Sequence, residues 1–457
     1  MQLPRCRTWF SPVAAAAVLA LGAVAQPSVN PWASSSWQPP PGYRGPVFRL
    51  SYDYPAKLPP GDANPPWIRA LGGKPISAGN AIAYVQAVKD YIANDMRTLM
   101  LDHPNWNAQQ RKWFNLPWLF SIRDPLYGTY LGTQQDPTVF PLSNMKKPLM
   151  TDYVLVYYND IAGYTLGQMW GKTAMKPDLT KAQFQDGAII IKAALTDATP
   201  ADWSPLEGTS TWDLYPPTIN ANGQTGPPNK RVRAYFFQFD IIVKDTKTAP
   251  QTGWVFSTLV YDKNVQGDVW TKMIPLGAMW GNDPNLDSTI TPNTALQESV
   301  VNPIAPLYSI ETLGYGGRLS GPNDGAVSEN NIIGGQLVPR ARISSCMSCH
   351  GVAEFPLNPA NLLPNVYPPA NTSPPGAYSY VPRLGSVEFS RWFQDRPGTE
   401  PQDQGATALD YDMNIALKAL PLWQQYTAPS KAAALVRQVH ATPAQLTQTG
   451  RPVRPPE

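Results

Sequence analysis

Two of the three cysteines and one of the three histidines in this 457-residue sequence stand together as Cys346-Met347-Ser348-Cys349-His350. This is the C-x-x-C-H pattern that attaches a c-type haem. Two thiols at this spacing can form thioethers with the two vinyl groups of one porphyrin, and the adjacent imidazole can then bind the iron. The motif predicts one covalently bound haem c, with Cys346 and Cys349 as the attachment residues and His350 as the proximal iron ligand.

Three other uses of a C-x-x-C pair stay open. A structural zinc site needs four ligands, and the sequence has no second C-x-x-C pair and no H-x-x-x-H pair. A thiol–disulfide redox site favours a strand-to-helix turn in a thioredoxin-like unit, which residues 337–342 do not indicate. A plain structural disulfide would make no use of His350. Haem attachment is the preferred interpretation because it uses all three residues.

The second axial ligand of the iron decides between two kinds of chemistry. A methionine opposite the histidine gives a low-spin electron-transfer cytochrome, whereas an open position permits a small molecule to bind. Met413 lies on the apolar side of a predicted helix and is the possible distal ligand, although a buried methionine often only fills a core. His440 or His103 would give bis-histidine ligation, and we interpret Met279 as a packing residue. An open iron remains an alternative.

The N-terminal segment is typical of a secretory signal peptide. Arg5 and Arg7 precede an apolar run over residues 12–25, which ends in the small-residue pattern Ala23-Val24-Ala25. An N-terminal membrane anchor is the alternative, but the run is shorter than the roughly 20 residues that a spanning helix needs. Cleavage would also remove Cys6. We expect export to the periplasm, where c-type haem is attached, and no transmembrane segment in the mature chain.

Composition excludes several classes of protein. The chain is 43% hydrophobic and 11% aromatic with 15% charged residues, which is unlike a disordered chain. Its formal net charge of +3 has no basic block behind it, so we expect neither nucleic-acid binding nor polybasic membrane docking. The 51 prolines and 33 glycines predict long loops between short elements.

The elements that must position the motif follow from periodicity. Residues 80–101 have a helical apolar stripe, and 384–396, 408–425 and 432–439 also predict helices. Five short segments rich in β-branched and aromatic residues predict strands, and 246–253 predicts a hairpin loop. We therefore expect an α+β fold with a central antiparallel β domain, as a sandwich or partial barrel. The predicted strands are 153–158, 164–170, 188–195, 232–243 and 254–261.

These patterns predict a domain organisation with the haem motif in the last part of the chain. The predicted parts are the signal peptide at 1–25, a proline-rich arm or linker at 26–66, a helical and tryptophan-rich segment at 67–150, a β-rich domain at 151–300 and a helical, loop-rich region carrying the haem at 301–457.

Four motifs resemble a group of exported bacterial cytochrome c family proteins with a single C-x-x-C-H motif. They are 163–170 (GYTLGQMW), 252–256 (TGWVF), 279–284 (MWGNDP) and 345–350 (SCMSCH). The resemblance covers most of the chain from about residue 110 onward. It implies export and a covalent haem, and it leaves the biochemical role open.

The sequence is also similar, more weakly, to cytochrome P460. The segments 184–192 (FQDGAIIIK), 242–245 (IVKD) and Gly253-Trp254 precede the late C-x-x-C-H motif in the order of that family. This resemblance implies a β-rich fold around one c-type haem, and some members oxidise hydroxylamine with a lysine cross-linked to the porphyrin. Lys192 and Lys244 are the strand lysines here, and we expect both to be solvent-exposed.

The sequence as a whole thus predicts a periplasmic single-haem cytochrome that transfers electrons to or from a periplasmic redox partner protein. The alternative is a haem-dependent oxidoreductase or sensor, P460-like, acting on a small nitrogen or oxygen species at an open iron. A binding protein with a structural haem is a third hypothesis.

Overall fold

The structure of the chain is a computed structural model that describes residues 29–135, 140, 142–146, 149–220, 224–286, 294–324, 330–333, 336–339, 345–358, 379–381, 384–385 and 387–428. The described residues from Pro31 onward belong to one unit of the fold. A central antiparallel sheet with helices against it confirms the predicted α+β class. The predicted signal peptide and the predicted helix at 432–439 lie outside the described residues.

Eight strands form the main sheet, in the hydrogen-bonded order β1-β2-β3-β7-β8-β9-β10 with β4 paired to β7. The segments 153–158, 188–195, 232–243 and 254–261 lie in this sheet as predicted, and 246–253 connects two of its neighbouring strands. Numbered along the chain, the strands are β1 (Tyr130–Gln135), β2 (Met150–Tyr158), β3 (Ile189–Thr196), β4 (Thr211–Leu214), β5 (Thr218–Ile219), β6 (Thr225–Gly226), β7 (Val232–Lys244), β8 (Trp254–Tyr261), β9 (Met273–Met279), β10 (Ser299–Val301), β11 (Asn330–Ile333), β12 (Gln336–Pro339), β13 (Glu354–Phe355), β14 (Ser379–Val381) and β15 (Thr407–Ala408).

Helices fill the connections and are mostly short. None of them, among the residues described, is long and apolar enough to cross a membrane. They are α1 (Pro66–Ala70), α2 (Ala81–Tyr91), α3 (Ala93–Leu101), α4 (Asp160–Trp170), α5 (Val269–Lys272), α6 (Leu307–Ile310), α7 (Cys346–His350), α8 (Val387–Trp392), a π-helical turn (Ile415–Ala419) and α9 (Leu420–Thr427).

The main sheet has two faces because side chains alternate along each strand. One face, the helix face, packs its aliphatic and aromatic side chains against the buried stripe of α2 and α3 in a single core. The opposite face, the site face, combines apolar residues with buried polar ones. From β3, β7 and β8, the helix face receives Ile191, Ala193, Leu195, Phe239, Ile241, Val243, Val255 and Leu259, and the site face receives Lys192, Gln238, Asp240, Ile242, Lys244, Trp254, Phe256 and Thr258.

The segment 164–170 was predicted as a strand, and this prediction is wrong because the segment lies in α4. Asn159 caps the helix by accepting a hydrogen bond from the backbone N–H of Ala162 at 3.0 Å. The buried residues Ala162, Leu166 and Met169 are three or four positions apart, which matches the helical period. Its aromatic ends had suggested a strand.

Two predicted helices are interrupted. The stripe at 80–101 forms α2 and α3, which are separated at Ile92 (φ −91°, ψ 0°), whereas a single helix had been predicted. The segment 408–425 begins with the end of β15 and a tight turn, and becomes helical only from Met413. Tertiary contacts of this turn, described below, override the local helical periodicity. In the third predicted helix, 384–396, α8 covers only Val387–Trp392.

The arm that precedes α1 runs along the segment that follows α3. Its backbone N–H groups at Ser36 and Phe48 donate to the carbonyls of Phe120 and Pro125. Asn115 reinforces this contact, since its side-chain oxygen accepts a hydrogen bond from the backbone of Ser51. The proline-rich arm is thereby attached to the folded chain by hydrogen bonds.

Candidate functional site

The C-x-x-C-H motif forms the five-residue helix α7. Ser345 begins it with a capping box: its hydroxyl accepts from the Ser348 N–H at 3.2 Å, and its own N–H donates to the Ser348 hydroxyl at 2.9 Å. The N–H of Cys346 donates to the carbonyl of Leu319 at 3.0 Å. Because a helical turn takes 3.6 residues, this cap places both thiols and the imidazole within little more than one turn.

Both cysteines of the motif are free thiols and half-buried. Burial raises the pKa of the Cys349 thiol to about 12, and it raises the pKa of the Cys346 thiol as well. A dithiol that exchanges disulfides has a lowered pKa, because the thiolate is the attacking species. The environment of these thiols therefore disfavours a redox disulfide site.

His350 is held in one tautomer. Its Nδ1 lies 2.8 Å from the backbone carbonyl oxygen of Tyr411. A carbonyl only accepts, so Nδ1 carries the proton and Nε2 keeps a free lone pair. Burial lowers the pKa of His350 to about 4, so the ring is neutral at neutral pH. The ring also packs edge-on against Phe256, with centroids 4.9 Å apart. A neutral, oriented imidazole with a free Nε2 is what a metal ligand requires.

The Tyr411 carbonyl belongs to a strained turn. Asp410 (φ 47°) and Tyr411 (φ 67°) are both in the left-handed region, which is uncommon for residues other than glycine. Pairing of β15 with β13 leads the chain into the turn, and the Tyr411 hydroxyl donates to the carbonyl of Arg396 at 2.8 Å. Such strain persists only where the surrounding structure fixes it.

Asp410 supplies the main attachment of this turn. Its side chain is fully buried, and its two carboxylate oxygens accept hydrogen bonds from Lys244 Nζ at 2.7 and 3.0 Å. Trp254 Nε1 donates at 2.7 Å and the backbone N–H of Phe184 at 2.8 Å. We call Asp410, Lys244 and Trp254 the proximal anchor. It joins the turn that holds His350 to strands β7 and β8.

A second buried polar group lies farther along the site face. Lys192, Asp240 and Thr258 are directly opposite one another on β3, β7 and β8. Lys192 Nζ lies 3.1 Å from Asp240 and 2.5 Å from Asp324, and Gln238 Nε2 donates to both carboxylates. We call Lys192, Gln238, Asp240 and Asp324 the charged cluster.

The charged cluster shifts the pKa values of its own members. Burial raises the pKa of Asp240 to about 6, against the opposing attraction of Lys192. Burial also acts to lower the pKa of Lys192, but the two carboxylates outweigh it and hold that pKa above its usual value. Lys192 is therefore an ammonium group.

The charged cluster adjoins α7. Asn323, next to Asp324 in the chain, donates its backbone N–H to Gln238 at 2.8 Å, which fixes the segment that also supplies the Leu319 carbonyl to α7. The charges of Asp324, Asp240 and Lys192 act on the Cys346 thiol, and Thr258 forms a hydrogen bond with it.

Three pairs of side chains that lie opposite each other on β7 and β8 form successive rows along the site face. Asp410 binds to the first row, the His350 ring packs against the second, and Cys346 adjoins the third. The rows are Lys244–Trp254, Ile242–Phe256 and Asp240–Thr258.

The structure places Met413 close to the turn. It is buried, and its backbone N–H donates to the Tyr411 carbonyl, the same oxygen that His350 Nδ1 contacts. Its burial and this backbone contact fit the packing role that was the alternative to distal ligation.

Of the two histidines that were alternatives for the second axial ligand, His103 lies in another part of the fold. The His103 ring packs against Tyr127 and Trp212, with centroids 4.5 and 5.1 Å apart. Trp212 belongs to the helix-face core, so His103 and His350 lie on opposite faces of the sheet. Met279 is fully buried and lies opposite Phe256 in β9. His440 lies outside the described residues.

Sequence reasoning missed the proximal anchor and the charged cluster. The expectation that Lys192 and Lys244 are solvent-exposed is wrong, because their side chains are only 22% and 9% exposed and both are paired with carboxylates. The sequence of β7 contains a pattern that could have predicted these polar groups, because Gln238, Asp240 and Lys244 alternate with large apolar residues. Period-2 alternation puts these polar side chains on one face of a fully paired strand.

The donor set fits a c-type haem better than a protein-only metal site. A haem iron takes four nitrogens from the porphyrin and needs one protein ligand, which His350 Nε2 can provide between two thiols. Over the described part of the chain, no three His, Cys, Asp or Glu side chains are grouped so as to hold a metal ion. No family model and no curated protein matches the chain.

Proposed function

We propose that the chain is a c-type cytochrome that carries one haem c on Cys346, Cys349 and His350. The observation that carries the proposal is the contact of His350 Nδ1 with the Tyr411 carbonyl, which leaves Nε2 free beside two free thiols. In metal-binding histidines the second ring nitrogen almost always donates to such an acceptor. The motif and the orientation of His350 both support the proposal.

In this proposal the two cysteines attach the haem and His350 ligates its iron. Cys346 and Cys349 would hold the haem through thioether bonds, formed by addition of each S–H bond across one vinyl C=C bond, which needs no oxidant. His350 would provide the nitrogen ligand, and the Tyr411 carbonyl holds its ring in one orientation. When bound, the haem supplies a one-electron redox centre.

Electron transfer is the function that we propose first, with a periplasmic redox protein as partner. The site face surrounds the motif with buried, hydrogen-bonded groups, which keeps the surroundings of the centre fixed between its two oxidation states. Export rests on the predicted signal peptide at 1–25.

A second candidate is a haem enzyme or sensor with an open iron position. One observation favours it: the charged cluster is joined to the segment before α7 by the Asn323–Gln238 hydrogen bond, and its carboxylates can exchange protons with a bound nitrogen or oxygen species. A lysine–porphyrin cross-link of the P460 type is disfavoured for Lys192, because an ammonium group held by two carboxylates has no lone pair with which to form the bond.

The attachment proposal is tested by replacing both cysteines with serine in the exported full-length protein. Mass spectrometry and a haem stain after denaturation should show covalent haem in the wild type and none in C346S/C349S. The same mass measurement reports whether residues 1–25 have been removed. A Met347→Leu variant keeps the thiols and the histidine in the same helix and should retain the haem. Covalent haem in the double variant would contradict the proposal.

An absorption spectrum of the reduced protein, with and without carbon monoxide, separates the two candidate functions. A low-spin spectrum that carbon monoxide does not change supports electron transfer. A high-spin spectrum that shifts with carbon monoxide supports the enzyme or sensor, because only an open position takes up the gas.

A further inference from the structure

The proximal anchor combines motifs that have no role in haem attachment itself. Lys244 comes from the IVKD segment and Trp254 from the TGW segment, and both meet at Asp410. Asp410 is fully buried, and Gly398 faces it so closely that a Cβ at that glycine would lie 1.8 Å from its Oδ1. The chain therefore approaches this carboxylate from strands β7 and β8, from the segment at Phe184 and from the segment at Gly398.

The proximal anchor holds the turn in a backbone conformation that is unfavourable by itself. Asp410 and Tyr411 have successive positive φ values without a glycine, a backbone conformation that residues with a Cβ adopt only at a cost in free energy. Without its attachment, the turn would relax toward ordinary backbone angles and rotate the Tyr411 carbonyl. That carbonyl is the acceptor for His350 Nδ1.

We propose that Asp410 and Lys244 are positioning residues for the iron ligand: their buried pair holds the strained turn so that the Tyr411 carbonyl accepts the hydrogen bond from His350 Nδ1. This inference rests on the proposed haem attachment. The hydrogen bond makes Nε2 a stronger donor, because it draws the Nδ1 proton away from the ring. A stronger donor stabilises the oxidised iron, so the anchor lowers the reduction potential.

The experiment compares the haem-loaded full chain with three variants by spectroelectrochemical titration and by urea unfolding. Asp410→Ala removes the anchor and should shift the midpoint potential upward. It also leaves the Lys244 ammonium buried and unpaired, which lowers stability. The double variant Lys244→Met/Asp410→Ala removes both charges. It should regain part of the lost stability and keep the raised potential, because the turn is still unattached.

Asp213→Asn is the control, since it breaks an exposed ion pair with Arg233 on the same strand β7. It should change neither the potential nor the stability measurably. The inference is overturned if Asp410→Ala retains the wild-type potential, or if the potential of the double variant returns to the wild-type value together with its stability. Absence of covalent haem from the wild type would instead refute the proposed function.

Discussion

Single hydrogen bonds to the backbone decide what the functional side chains can do. The Tyr411 carbonyl holds the His350 ring in the tautomer that is protonated at Nδ1. We infer that the carboxylate of the preceding residue, Asp410, holds that carbonyl in place through its pair with Lys244. Neither effect follows from side-chain type alone. The sequence motif predicts His350 as the ligand, whereas the orientation of its ring depends on an acceptor 61 residues away in the chain.

At the residue scale, Trp254→Phe tests the anchor by removing one donor. The change keeps an aromatic ring and deletes the Nε1–H that Asp410 accepts at 2.7 Å, so it should cost about 1–3 kcal/mol in the free energy of unfolding. Trp270→Phe is the matched control, because Trp270 is equally buried but its Nε1 has no hydrogen-bond partner among the residues that the structure describes. Urea unfolding of both variants measures the difference. Equal losses would show that the hydrogen bond to Asp410 contributes nothing.

Helices and strands position the site through contacts between elements that are far apart in sequence. A five-residue helix such as α7 is too short to be stable on its own, so its geometry depends on the capping box and on the segment that the charged cluster fixes. Local patterns predicted the long strands well. A strand such as β3, which is paired on both sides, is rich in β-branched and other apolar residues, and this composition is visible in the sequence. They misassigned α4, where a capping asparagine and helical spacing outweigh the strand preference of its aromatic residues.

At the element scale, Lys192→Met tests the charged cluster. It would leave the carboxylates of Asp240 and Asp324 without their cation, and should destabilise the fold by about 3 kcal/mol. Lys263→Met is the control, because water screens its pair with the exposed Glu207 and the pair should contribute little to stability. Urea midpoints report both. A loss in Lys192→Met no larger than in the control would show that the cluster does not hold the segment before α7.

Across the whole molecule, buried carboxyl groups link stability to pH. Burial and the neighbouring charge of Asp395 raise the pKa of Glu298 to about 7, and the two side chains share a hydrogen bond. Glu298 precedes β10 and Asp395 follows α8, so this pair connects an edge of the main sheet to the C-terminal helices. A carboxyl whose pKa is raised by folding binds its proton more tightly in the folded state. Stability is therefore lost as pH rises through the folded pKa.

At this scale we expect the wild type to lose stability between about pH 5 and pH 8, with the Glu298 contribution complete above about pH 7. Glu298→Gln removes the titration and should show a flatter profile over the same interval. His103 and His350, whose pKa values are lowered to about 4, act in the opposite direction, but their effect is complete near pH 6.5. Urea midpoints at several pH values measure this. Parallel profiles for the two proteins would contradict the assignment.

The sequence by itself determined the chemistry-bearing motif, the α+β class and most long strands. These depend on local spacing: three residues within one helical turn, and alternation along a strand. The tertiary structure alone decided which carbonyl holds His350, and that Lys192 and Lys244 are buried and paired. Those facts depend on which segments become neighbours and in which register. The contacts of His350 with Tyr411, Lys192 with Asp324 and Lys244 with Asp410 join residues 61, 132 and 166 positions apart, and no short sequence pattern records them.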